Sequence, residues 1–431
     1  MKRFFTNALR FLLRVSAAGV VGRYAPGVIG ITGSVGKTST KEAIAAVLRQ
    51  SRPVRASRGN FNGEIGLPLA VIGQWSEGDM RAISREAPPG AHRIRKVIFF
   101  CKVLGTAFLK LLFRGAYPEL LVLEYGADKP GDIGYLLAMV RPHIAVVTAV
   151  GKIPVHVEFY ENPDAVGREK ARLVEQLMST GFAVLNADDE TVVAMREKTR
   201  AQVMTFGFSK NADMRVSTFE TRVQDGKIVG VSFKLEYAGS IVPVRIDGCL
   251  GRPVAYAAAA AACVGVVFGI NLVRIADALA DYRPQPHRMS IVRGVKESTL
   301  IDDSYNASPL STEAALEALG ALSAGRTVGV LGDMLELGPY AQESHERTGT
   351  RAAKALTVLI TVGPRARFIA QAAQAAGMPR KNVISFETAE EAAGAVPDLI
   401  KRGDLVLIKA SRAVHLEKVV HALALEPETS V

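Results

Sequence analysis

Cysteine and tryptophan are scarce in this sequence: its 431 residues include three Cys and one Trp. Cys101, Cys249 and Cys263 are odd in number and scattered, which excludes a disulfide framework and fits a reducing compartment. No His/Cys cluster has zinc-ligand spacing. Internal repeats and low-complexity tracts are lacking, so solenoid and disordered classes do not apply. The one stretch resembling a membrane span, Val97 to Phe113, is borderline in length and broken by Lys102 and Lys110. A span there would also put Lys37 and the later acidic residues on opposite sides of a membrane, and a phosphate site needs them together. A cleaved signal peptide is excluded because arginines interrupt the first apolar region.

Acidic residues are almost missing from two segments. Residues 1–26 carry Lys2, Arg3, Arg10, Arg14 and Arg23 with no acid, a charge of +5. Residues 81–114 carry eight cations against Glu86, a charge of +7. The whole chain is +11, so everything else sums to −1. A surface built throughout for nucleic acid is therefore not expected, and no stacking aromatics interleave the basic runs. Phe5, Leu9, Leu12 and Leu13 recur at helical spacing, with Arg3, Arg10 and Arg14 off that stripe, which reads as a basic amphipathic helix. Two readings stand: both basic segments pack as ordinary core helices, or they contact an anionic membrane peripherally.

A length of 431 residues argues for more than one core. Apolar runs at Leu120–Leu123, Ile144–Val147 and Ala183–Leu185 alternate with helix-like runs, the pattern of an α/β fold with a largely parallel sheet. Short β-prone runs from about 213 to 247, set around Asp225-Gly226 and Ala238-Gly239, predict a small β-hairpin subregion. The Ala-rich run Ala255–Val267 predicts a buried helix, and Tyr282 to Pro286 a link. Runs at 299–301, 328–331, 357–362, 383–386 and 405–408 then predict a Rossmann-like C-terminal domain. The expected division is a basic segment 1–26, a central P-loop ATPase domain 27–283 with a basic apolar insertion at 75–118, and a C-terminal domain 284–431.

Gly30-Ile31-Thr32-Gly33-Ser34-Val35-Gly36-Lys37-Thr38-Ser39-Thr40 is the densest signal. It lies between an apolar run and a helix-forming run, so its backbone N–H groups and the helix dipole would face a phosphate chain. Lys37 would reach the β/γ-phosphates and Thr38 a Mg²⁺ ion. Ile31 stands where the general P-loop pattern has its first Gly, so a chance match is the competing reading. Glu124 ends an apolar strand, at the sheet edge where ligands bind, and suits Mg²⁺ as an oxygen ligand. His156 and Lys170, taken alone, read as structural as readily as functional. Asp302-Asp303-Ser304-Tyr305-Asn306-Ala307-Ser308-Pro309, Gly332 to Gly338, and Lys409-Ala410-Ser411-Arg412 each follow a predicted strand. They place polar groups on one edge of the second sheet.

In order and spacing, these pieces resemble the Mur ligase family. The most specific are GITGSVGKTSTKE at 30–42, NFNGEIGLPL at 60–69, LEYGADKPGDI at 123–133, DDSYNASP at 302–309 and GDMLELG at 332–338. The last two point to the member that adds a dipeptide. The resemblance implies ATP and Mg²⁺ as cofactors, with a UDP-muramoyl-peptide and D-alanyl-D-alanine joined in the cytoplasm through an acyl phosphate. It implies ATP contacts from Gly33, Ser34, Gly36, Lys37, Thr38, Ser39, Arg288, Asp303, Tyr305 and Asn306. It assigns metal ligation and catalysis to Thr38, Glu124, His156 and a carbamylated Lys170, with Lys37 catalytic, and substrate contacts to Asn60, Asn62, Lys409 and Arg412. Three departures bear on this. The family has Asn where Val35, Gly63 and Ser308 stand, and a His-Asn pair in place of the sequence at 250–257. It also has a whole UDP-binding domain before the phosphate loop, where about 26 residues stand here; the insertion is expected to compensate. Two alternatives stay open: a ligase for another acceptor acid, polyglutamate-type or lipid-linked, and a P-loop ATPase without ligation. Oligomeric state is not legible.

Overall fold

Runs of Val, Ile and Leu with no polar alternation make strands that are buried on both faces, and such strands need helices on both sides. In the computed structural model, which describes residues 2–59, 61–76, 78–80, 93–322 and 325–425, this produces two sheets. The first contains β1 (Gly27–Thr32), β2 (Val54–Ala56), β3 (Leu120–Glu124), β4 (Ile144–Val147), β5 (Phe182–Asn186), β6 (Gln202–Gly207), β7 (Met214–Gln224), β8 (Lys227–Tyr237) and β9 (Ser240–Asp247). Their order is β2-β3-β1-β4-β5-β6-β7-β8-β9. Pairing is parallel from β2 through β7 and antiparallel for β7-β8 and β8-β9.

The helices in this half are α1 (Lys2–Tyr24), α2 (Lys37–Arg49), α3 (Gly66–Ile72), α4 (Arg93–Leu112), α5 (Asp132–Leu137), α6 (Pro163–Glu175), α7 (Glu190–Val193), α8 (Arg252–Val267) and α9 (Leu272–Ala280). One face of the sheet packs on α2, α8 and α9 through Ile44, Val47, Ala258, Ala262 and Ile275. Alanine and glycine on α8 let α2 approach closely: a Cβ on Gly265 would lie 2.9 Å from Val47. The other face packs on α1, α3, α4 and α6 through Leu13, Leu67, Phe99 and Leu173.

The second sheet contains β10 (Ser290–Arg293), β11 (Thr299–Asp302), β12 (Thr327–Gly332), β13 (Val358–Val362), β14 (Val383–Phe386) and β15 (Leu405–Lys409), in the order β10-β11-β15-β12-β13-β14. Only the β10-β11 pairing is antiparallel. Its helices are α10 (Pro309–Gly320), α11 (Ala341–Ala355), α12 (Arg367–Ala375), α13 (Ala389–Leu399) and α14 (Glu417–Leu423). Ser308 starts α10 in a reciprocal capping box with Ser311, and Pro309 follows at the first helical position, which is why DDSYNASP ends where it does.

Three sequence expectations are refined. The hairpins do form, with positive φ at Asp225, Gly226, Ala238 and Gly239 as their tight turns require. They extend the first sheet, because β7 pairs in parallel with β6 at Met214 and Arg215. The edge strands β2 and β10 are short or weakly apolar and gave no signal. The third is a correction within α1. Leu13, Ala17 and Val20 are fully buried, whereas Leu12 faces out with Phe11 and Val15. Leu9 also packs against the core, so of the described residues of the predicted stripe only Leu12 is misplaced; the helix is apolar on two faces, and spacing alone did not separate Leu12 from Leu13. No described helix is long and apolar enough to cross a membrane.

The GDMLELG loop after β12 is held by fully buried His345 of α11. Its Nε2 accepts from Met334 N at 3.0 Å, while Nδ1 sits 2.6 Å from Ala341 O as the donor. Burial lowers the imidazole pKa, so the fold holds His345 neutral. Below about pH 6.5 the unfolded chain takes up a proton that the fold resists, and stability falls with pH. His345→Leu should cost ~1–3 kcal/mol at pH 7.5 by orphaning the Met334 N–H. It should also flatten the decline between pH 6.5 and 5, measured by urea unfolding.

Candidate active site

Thr32 ends β1, and the chain turns through Gly33 and Gly36, both at positive φ (143° and 88°). Gly33 packs against Thr148 so closely that a Cβ would lie 2.0 Å from its Oγ1. Thr148 Oγ1 in turn donates to Val35 O at 2.6 Å, and Ser34 N donates to Ala149 O at 2.6 Å, so the end of β4 clamps the loop. Gly36 precedes α2 with no side-chain cap, which leaves the first-turn N–H groups of Lys37, Thr38 and Ser39 for an external acceptor. Ser34 Oγ is buried with no partner among the described residues. Lys37 folds back onto Gly33 O at 2.8 Å, its pKa lowered by burial and by Arg288, against the pull of Glu124.

Glu124, at the end of the adjacent β3, is 1% exposed, and neither carboxylate oxygen has a well-directed hydrogen bond. The ammonium of Lys41, fully buried one turn into α2, lies 3.1 Å from Oε1. Lys41 also reaches Gly59 O at 2.6 Å and Glu42 at 3.3 Å. Lys170 on α6 is 1% exposed and has no ion-pair partner among the described residues. Burial first, and then the Lys37 cation, bring its pKa down to about 7. Its neighbour Glu169 accepts from Ile133 N at 2.9 Å and fixes the start of α5. Asn62 O accepts from Gly126 N at 2.7 Å beneath the loop after β3. Asn60 lies outside the described residues.

The second sheet closes over this loop. Arg288 Nη2 donates to Thr38 Oγ1 at 3.0 Å and lies over the Tyr305 ring at 4.2 Å. From the loop's own half, Tyr282 OH donates to Ser39 O at 3.4 Å. His156, at φ 71°, sits 2.5 Å from Glu336 and 3.5 Å from Asp128, so it bridges carboxylates carried by the two sheets. Lys409 is buried and pairs with Asp303 at 2.5 Å and Asn306 O at 3.0 Å. Burial raises the Asp303 pKa, and Lys409 opposes that rise. Arg412 also lies over the Tyr305 ring, 5.5 Å from its centroid.

Residues 31–80 and 104–265 match the Mur ligase middle domain, and residues 287–412 match the Mur ligase glutamate ligase domain. The UDP-N-acetylmuramoyl-tripeptide--D-alanyl-D-alanine ligase of Mycobacterium bovis is 30% identical over 416 residues, covering 92% of this chain and 72% of that protein. The Escherichia coli ligase of the same name is 28% identical over 404 residues, covering 92% and 76%. The crystal structure of MurF from Acinetobacter baumannii superposes with a TM-score of 0.76 at 25% identity, covering 96% of this chain and 80% of that one. This chain belongs to the Mur ligase family. It is therefore an ATP-dependent ligase of the ADP-forming kind.

The donor set of this Mur ligase fits a magnesium–nucleotide. Oxygen ligands suit Mg²⁺, and the buried Glu124 carboxylate and the Thr38 hydroxyl both stand at the uncapped end of α2. Among the described residues, no group of three or more His, Cys, Asp and Glu side chains gathers as a protein-only cage. Phosphate oxygens would have to supply the remaining ligands, as is usual for Mg²⁺. Of the residues that the motifs singled out, Lys37, Thr38, Glu124, Lys170 and Arg288 lie around the same loop. Motif reading missed Lys41, Asp128 and Glu336, although all three lie inside the quoted motifs.

Lys41→Met should unfold at lower denaturant by ~3–5 kcal/mol, because it leaves Glu124 buried and unpaired. Adding Glu124→Gln should recover part of that loss without recovering activity, in urea titrations of the single and double variants.

Proposed function

We propose that this Mur ligase adds D-alanyl-D-alanine to a UDP-muramoyl-tripeptide in peptidoglycan precursor synthesis, working in the cytoplasm with peripheral membrane contact. The observation that carries the reading is the uncapped N-terminus of α2, ringed by Lys37, Lys170 and Arg288 and faced by the buried carboxylate of Glu124. Such a ring suits a polyphosphate with a divalent cation. The dipeptide-adding motifs at 302–309 and 332–338, and the names of the relatives above, support the choice of substrates. In this reading residues 27–283 hold the nucleotide and residues 284–431 close over it, with 1–26 and 75–118 set apart as basic segments.

The residues divide the work as follows. The N–H groups of Gly36 to Ser39 and the Ser34 hydroxyl hold the phosphates, and Lys37 turns from Gly33 O to the γ-phosphate. Arg288 reaches the same phosphates from the second sheet, which ties closure to nucleotide binding. Thr38 and Glu124 would hold Mg²⁺, which would supply charge neutralisation on the phosphates. The terminal carboxylate of the tripeptide attacks the γ-phosphorus, ADP leaves, and an acyl phosphate forms. The neutral amine of the dipeptide then attacks the acyl carbon, and phosphate departs as the amide closes. Asn60 and Asn62 lie on the acyl-phosphate side. Asp303, Tyr305 and Asn306 flank the nucleotide across the cleft, with Lys409 locking Asp303 in place, and Arg412 faces the carboxylate of the dipeptide. Rate comes chiefly from positioning and neutralised charge.

Lys170 has the burial and lowered pKa that CO₂ addition needs, because only the neutral amine reacts. Bond formation between the neutral Nζ and the CO₂ carbon, with one amine proton released to solvent, would turn Lys170 into an anion that with His156 would hold a second Mg²⁺.

Phosphate release with Mg²⁺-ATP and the UDP-muramoyl-tripeptide should depend on D-alanyl-D-alanine and give a pentapeptide mass. Release that ignores the dipeptide would overturn the reading. Lys37→Met should lower kcat by roughly 10²–10³-fold. In ¹³C-bicarbonate, a carbamate ¹³C resonance should appear in the wild type and be missing from Lys170→Ala.

A further inference from the structure

α1 and α4 lie side by side and run in the same direction. Arg23 at the end of α1 donates to Leu112 O at 3.4 Å, and Tyr24 OH donates to Phe113 O at 3.3 Å. Close packing at Gly19, where a Cβ would sit 3.1 Å from Leu111, brings the two axes together. Each helix buries one face in the same core: Leu13, Ala17 and Val20 from α1, Phe99, Val103 and Ala107 from α4. Their opposite faces are apolar and in solvent. Ile94, Ile98, Phe108 and Leu112 are 77%, 61%, 63% and 56% exposed, and with Cys101 they recur at steps of four, three, seven and four along one side of α4. Phe11 and Val15 continue the surface on α1 at 62% and 53% exposed. A contiguous apolar surface of this kind marks an interaction site.

Charge selects the occupant. Residues 93–114 hold six cations and no acid, and residues 1–26 hold five and no acid. Arg95, Lys96 and Arg114 have no ion-pair partner among the described residues. Two residues past the end of α4, Arg114 with Arg52 lines a cavity of about 460 Å³ beside Tyr24 and Tyr117. A second copy of the chain would meet like charge, and a protein partner would need a long, purely acidic rim. Apolar side chains that enter the acyl boundary, rimmed by cations that meet anionic headgroups, fit a bilayer surface. Neither helix can cross it, so both lie flat.

We infer that the outer face of the α1–α4 pair docks this ligase on an anionic lipid bilayer. The inference does not depend on which acceptor the ligase uses, so its failure would leave the proposed chemistry standing.

Cys101 is the one exposed cysteine, since Cys249 and Cys263 are buried, and it lies in the stripe. The full chain, labelled there with a polarity-sensitive fluorophore, should shift to the blue with phosphatidylglycerol vesicles and not with phosphatidylcholine vesicles. The shift should be lost in 0.5 M salt, on the order expected when Debye screening shrinks to a few ångströms. Unlabelled Phe108→Ser/Leu112→Ser and Arg95→Glu/Lys96→Glu should each bind anionic vesicles at least tenfold more weakly in sedimentation, with unchanged melting temperature and unchanged ligase turnover in detergent-free buffer. The inference is overturned if the wild type ignores anionic vesicles, if it binds neutral vesicles equally, or if the shift follows protein concentration without lipid, which would mean self-association through this face.

Discussion

Positive charge held out of water beside a helix N-terminus is the constraint on which the rest of the architecture depends. Lys37, Lys41, Lys170 and Arg288 converge on the loop from β1 to α2, and Glu124 is the acid at their centre. Lys41 is balanced, being held between Glu124, Glu42 and Gly59 O. Lys37 and Lys170 are not, and burial together with neighbouring cations pulls both their pKa values down. A polyphosphate relieves that cost, so nucleotide binding and the stability of the loop are one free energy seen from two sides.

The loop is rigid for a separate reason. Thr148 occupies the space that any side chain at position 33 would need, and it hydrogen-bonds the loop carbonyl of Val35. The central sheet thus places the N–H groups of α2 without help from the ligand. The second half contributes through few contacts: Arg288 on Thr38, and His156 held between Asp128 and Glu336. Arg288, Thr38 and His156, which make these contacts, are also residues of the proposed nucleotide and metal sites. Closure and assembly of the site are therefore the same event, and a ligase needs that, since its acyl phosphate must be kept from water.

Much of this was legible in the sequence because it rests on local rules. A Gly-rich turn between strand and helix, an acid at a strand end, and paired positive-φ positions at Asp225-Gly226 each carry their structure within a few residues. Contacts between distant segments were not legible. Lys41 looks like an ordinary charge on an amphipathic helix, and only the packing of α2 against β3 reveals it as the partner of Glu124. His156 gives no hint that Glu336, in the other sheet, stands 2.5 Å away. In α1, Leu12 and Leu13 compete for the core, and the choice is made by α3 and α4, which no periodicity within α1 encodes. Strand β2 is three residues long, too short for any pattern to show.

The same residue types serve two opposed ends, and burial decides between them. The chain is strongly basic, yet outside the two basic segments its charge is −1, and that remainder contains the active site. Bulk charge therefore says nothing about the nucleotide site. An exposed cation such as Arg95 is screened within about 8 Å at physiological salt, and acts only where many lie together on a surface. A cation such as Lys170 has little water around it to share its field, so a single one changes the protonation of its neighbours and the affinity for an anion. The α1–α4 cations act by number and the loop cations by desolvation, which is why the first could be counted in the sequence and the second needed the fold.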